Sequence, residues 1–69
     1  MKDIQIKTEY IKLDQFLKWA GIAESGAFAK IIIANGDVKV NGEKALQRGK
    51  KLRKGDKIQV IGAEEFQII

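Results

Sequence analysis

The chain has 69 residues, 13 Lys and Arg against 9 Asp and Glu for a net charge of +4, and no His, Cys or Pro. This length supports one domain on one core, which excludes a catalytic cleft between two lobes. Lacking Cys and His, the chain has no disulfide framework, no thiolate zinc site and none of the commonest general bases, so no metal or other cofactor is expected.

In chain order, apolar and polar residues alternate over 4–6, the pattern of a short strand with one buried face. Leu13, Phe16, Leu17 and Ala20 then recur at helical spacing, which predicts a first helix over 12–20 closed by Gly21. Ser25 is an N-cap candidate for a second helix over 26–34 that stops at Asn35-Gly36. The short link between them makes a helical hairpin. The period then switches to two. Residues 37–40 alternate, Asn41-Gly42 is a strong hairpin-turn signal, and 43–46 can return as a partner strand. A basic loop over 47–54, a strand over 57–61 and a last short strand over 66–69, placed beside the first, complete the chain. The expected fold is α+β, with a two-helix hairpin packed on a small, mostly antiparallel sheet of four to five short strands.

The longest apolar run, Ile31-Ile32-Ile33-Ala34, is far shorter than the roughly 20 residues of a membrane span. The N-terminus carries no apolar signal segment. A cytoplasmic location without membrane contact is expected.

Charge is distributed unevenly. Residues 39–57 carry eight cations and two anions, a net of +6, whereas the other fifty residues carry five cations and seven anions, a net of −2. Within that segment Arg48, Lys50, Lys51, Arg53 and Lys54 put five cations in seven residues. That density can neutralise several phosphates and release their counterions. The competing reading is a solvated basic loop. Lys12, Lys18 and Lys30 are placed on the helices off the apolar stripe, where they extend the same surface.

Catalysis finds little support. The carboxylates Asp14, Glu24, Asp37, Asp56, Glu64 and Glu65 fall near predicted helix starts, turns or strand edges, where acids serve local roles. Ser25, the only serine, has no His to activate it. The segment Gly49-Lys50-Lys51-Leu52-Arg53-Lys54-Gly55-Asp56 lacks the Gly-Lys-Ser/Thr ending of a phosphate loop and opens no helix. No small-molecule substrate is expected. A base-reading helix is also disfavoured, because the second helix offers one cation, Lys30, among apolar side chains. Trp19 falls at the edge of the apolar stripe and is assigned to the core margin rather than to base stacking; Tyr10 has the same two readings.

Leu13-Asp14-Gln15-Phe16-Leu17-Lys18, Gly21, Ser25, Ala29-Lys30, Val38, Val40-Asn41-Gly42 and Gly55-Asp56 with Ile58 and Val60 together resemble the S-four (S4) RNA-binding domain family over about residues 8–61. Ser25-Gly26-Ala27-Phe28-Ala29-Lys30 and Arg48-Gly49-Lys50-Lys51-Leu52 resemble its small stand-alone bacterial members. The resemblance implies one such domain over 1–69, with an alpha-L motif that binds structured RNA, ribosomal or transfer RNA, along the helical hairpin and the adjacent hairpin loop. Lys12, Lys18, Lys30, Arg48, Lys50, Lys51, Arg53 and Lys54 are the expected RNA contacts, and Ser25, Gly26, Asn41 and Gly42 their structural support. The ribosome or its associated proteins are further expected partners. Lys12 and Gly26 depart from the pattern, since many members have Arg at both places, and Lys cannot offer the bidentate fork of Arg. Pseudouridine synthases and aminoacyl-tRNA synthetases couple this domain to a catalytic one, for which 69 residues leave no room. The alternative expectation is a protein-interaction module in which exposed Trp19, Phe28 or Ile31 and the basic loop meet an acidic protein; a third is DNA binding.

Overall fold

The computed structural model describes residues 1–63 and 65–69. Nine short elements follow one another among the described residues: β1 (Lys2–Ile4), β2 (Ile11–Lys12), α1 (Leu13–Trp19), α2 (Gly26–Ala34), β3 (Val38–Val40), β4 (Glu43–Lys44), β5 (Lys51–Leu52), β6 (Lys57–Val60) and β7 (Phe66–Ile68). A five-stranded sheet has the order β1-β7-β6-β3-β4. Only the β1–β7 pairing in it is parallel; the last strand does lie beside the first. β2 and β5 form a separate two-stranded antiparallel sheet.

The core follows from the two periodicities. On α1, Leu13, Phe16 and Leu17 are fully buried, one helical stripe as the i, i+3, i+4 spacing requires. In the sheet, Val38 and Val40 of β3, Ile58 and Val60 of β6, and Phe66 and Ile68 of β7 point inward while their neighbours face out. The two layers meet where the Phe16 and Phe66 rings pack edge to face, centroids 5.5 Å apart at 82°.

Local signals explain the element boundaries. The Ser25 hydroxyl accepts from Phe28 N–H at 3.1 Å, capping α2. Asn41 (φ 52°) and Gly42 (φ +87°) are both left-handed, which gives the β3–β4 hairpin the turn geometry that matches strand twist.

Four expectations are corrected. Lys12 is not helical: it is extended (φ −73°, ψ 147°), ends β2 and precedes α1 without a side-chain cap. The basic segment over 47–54 is not simply a loop, because β5 lies within it. Trp19 does not cover the core margin; it is 70% exposed. The first strand lies at Lys2–Ile4 and not over 4–6: Ile6 falls outside it, although it is buried and donates its N–H to Ile69 O at 3.0 Å.

Candidate nucleic-acid interface

The basic segment is held in place by backbone pairing. Ile11 lies opposite Leu52 and Lys12 opposite Lys51. The pairing continues into the first turn of α1, where Leu13 N–H donates to Lys50 O at 2.9 Å and Asp14 N–H to Arg48 O at 3.1 Å. Helix starts leave N–H groups without intrahelical partners. Here the carbonyls of the basic segment accept from two of them, so the same bonds cap the helix and hold Arg48 and Lys50 beside it.

Strand alternation separates the two faces of this small sheet. Leu52 is fully buried and Ile11 half-buried, whereas Lys12, Lys51 and Arg53 are exposed. Tyr10 lies on the exposed face with the cations. The Lys51 Nζ sits 4.9 Å from its ring centroid and the Arg53 Cζ 5.8 Å, both within cation–π range. Thr8 Oγ1 donates to Tyr10 O at 2.7 Å and fixes the backbone that presents the ring.

A second set of bonds holds the turn that follows β5. Asp56 Oδ2 accepts from Arg53 N–H at 2.8 Å, and Asp56 Oδ1 accepts from the Asn41 side-chain amide at 3.0 Å. Asn41 Oδ1 in turn accepts from Lys57 N–H at 2.9 Å, while the Asn41 backbone N–H donates to Lys57 O at 2.8 Å. The β3–β4 hairpin turn is thereby tied to the 53–56 turn that carries Arg53 and Lys54.

The structure therefore brings Lys12, Arg48, Lys50, Lys51, Arg53 and Lys54 to one region. Lys18, exposed on α1, lines a shallow depression with Ile11, Gln15 and Trp19. Lys30 is exposed on α2 and takes no part in the β2–β5 ladder. Of the supporting residues, Ser25 and Gly26 start α2, and Asn41 and Gly42 make the hairpin turn. The sequence places Asp56 at a turn and in the Gly55-Asp56 motif but does not show its bonds to Arg53 and Asn41, and it does not decide between the two roles of Tyr10. The available signal for Tyr10 was its period-two spacing from Lys12 across apolar Ile11.

Among the described residues there is no group of three or more acidic side chains placed to hold a metal ion. No described helix is long and apolar enough to cross a membrane. On the helices, Phe28 is 46% and Ile31 56% exposed.

Comparison with known proteins gives one consistent picture. A family model described as S4 domain matches residues 4–69. The chain is 42% identical over 66 residues to "Probable ribosome maturation protein RlbA" of Bacillus subtilis, covering 96% of this chain and 93% of that protein. It is 39% identical over 56 residues to YbcJ of Escherichia coli, covering 81% of this chain and 80% of YbcJ. The solution structure of YbcJ, described as revealing an alpha-L motif involved in RNA-binding, superposes with a TM-score of 0.74 at 34% identity, over 100% of this chain and 87% of that one. The crystal structure of 30S ribosomal protein S4e from Thermoplasma acidophilum superposes with a TM-score of 0.65 at 25% identity, over 88% of this chain and 32% of that one.

Proposed function

The chain belongs to the S4 domain family, and we propose that it is a non-catalytic RNA-binding protein that grips structured RNA through the β2–β5 face. One observation carries this reading. Lys12 and Lys51 lie directly opposite each other on the exposed face of a two-stranded sheet, with Arg53 beside them on the Tyr10 ring. Like charges directly opposite destabilise a strand pair, and a polyanion laid across them converts that repulsion into attraction. Lys12, Arg48, Lys50, Lys51, Arg53 and Lys54 would meet phosphates, with Lys18 and Lys30 extending the contact along the helices and Ser25, Gly26, Asn41 and Gly42 holding the scaffold. The 1–69 chain would act as a single RNA-binding unit in the cytoplasm.

The resemblance to RlbA supports ribosomal RNA as the target and the ribosome or its assembly intermediates as the place of action; transfer RNA is the other structured candidate. The test is binding of a labelled RNA hairpin by the wild-type chain and by the Lys50→Glu/Lys51→Glu/Arg53→Glu variant, with folding followed by circular dichroism. Loss of binding by a folded variant supports the proposal; undiminished binding removes the β2–β5 face from it. Duplex DNA as competitor separates RNA from DNA binding.

The exposure of Phe28 and Ile31 on α2 favours a second reading, a protein-interaction module that meets an acidic partner through these residues, Trp19 and the basic segment. Nuclease treatment of a lysate should abolish co-purification of partners under the first reading and spare it under the second.

A further inference from the structure

Trp19, the last residue of α1 and the only tryptophan of the chain, leaves 70% of its surface exposed. Two adjoining depressions share Trp19 and Ile11 as common walls. One is completed by Gln15 and Lys18, and the other includes Gln5 and Lys7. Together the depressions are lined by the Trp19 indole, aliphatic side chains, the lysines Lys7 and Lys18 and the amides of Gln5 and Gln15, with no carboxylate lining either one.

The geometry points to a stacking site for an unpaired nucleobase of the bound RNA. A π-faced platform accepts any base, amide groups supply both donors and acceptors to a base edge, and the two lysines match the phosphates on either side. Continuity with the basic face supports the assignment, because Lys7 also lines the next depression, which includes Arg53 and Lys54 as well as Glu9. Arg53 and Trp19 thus line depressions that adjoin through Lys7 and Thr8, which places the basic face next to the aromatic one. A second copy of the chain fits poorly, since a two-fold contact would bring Lys7 and Lys18 of the two copies together with no carboxylate in either depression to offset them. This inference rests on the RNA-binding proposal and adds that the preferred RNA contains an unpaired base beside a helix.

Trp19 emission reports on the site directly. The probes are a labelled RNA hairpin with an unpaired adenine loop and a fully paired RNA duplex with the same stem, with occupancy followed independently by anisotropy of the label. The hairpin should quench Trp19 at saturation and the duplex should not. Trp19→Ala should weaken hairpin binding roughly 5- to 150-fold while leaving duplex binding and the circular dichroism spectrum unchanged, and Trp19→Phe should retain most of the affinity. Saturating hairpin binding with unchanged Trp19 emission overturns the stacking site and leaves the RNA-binding proposal standing; absence of any RNA binding overturns both. Quenching by polyglutamate but not by the hairpin, or an emission shift that depends on protein concentration alone, reassigns the patch to an acidic protein or to self-association and likewise overturns it.

Discussion

The side-chain amide of Asn41 donates to the Asp56 carboxylate at 3.0 Å, joining a hairpin turn to the turn after the basic strand. Each residue serves two purposes. Asn41 also occupies the left-handed position of its turn, and Asp56 also accepts from Arg53 N–H. Asn41→Ala removes both side-chain bonds and places a less tolerant residue at positive φ, for an expected loss of about 1–3 kcal/mol. Asn41→Gly relieves the backbone but not the lost bonds and should fall between the two. Urea denaturation of the three proteins orders them; equal midpoints would remove the clamp from the account of stability.

Tyr10 should matter to binding more than to folding. Its ring meets Lys51 and Arg53, and holding two long cationic side chains in place lowers the entropy lost when they engage phosphates. Tyr10→Phe should bind RNA as the wild type does, whereas Tyr10→Ala should weaken binding several-fold, about 1 kcal/mol, with little change in salt dependence because the number of cations is the same. Isothermal titration at several salt concentrations checks both parts.

Salt dependence counts the phosphates engaged. About five contacts at about −0.7 each give a slope of log affinity against log salt of roughly −3 to −4. Reversing Lys50, Lys51 and Arg53 should abolish measurable binding, and neutralising Lys51 alone should bring the slope about 0.7 closer to zero. A flat response in the wild type would contradict electrostatic gripping altogether.

Gly26 offers a test of opposite sign. It opens α2 without a positive φ, and a Cβ placed on it would meet nothing within 4 Å. Gly26→Ala should therefore stabilise the protein by roughly 0.4–1 kcal/mol, chiefly by restricting the unfolded chain. A thermal melt reads the shift; a lower midpoint would mean that Gly26 serves a conformational need that its geometry does not reveal.

The features legible in the sequence were those whose cause is local. Ser25 caps its helix through a residue three positions on, Asn41-Gly42 specifies its turn by its own dihedral preferences, and the buried stripe of α1 is a property of helical spacing alone. The clustering of cations between 39 and 57 was also visible, since counting requires no fold. What escaped was non-local. β2 and β5 are two residues each, too short for periodicity to register, and they exist because Ile11 and Leu52 meet across most of the chain. That pairing moved Lys12 from the helix to a strand and set it opposite Lys51. The helical wheel gave Trp19 its angle but not the extent of the surface packed against α1, so its exposure could be decided only by the tertiary structure. Sequence by itself determined which side chains this protein can offer to a polyanion and the local elements that carry them; the long-range backbone pairing decided which of those side chains stand together, because facing registers depend on residues distant in the chain.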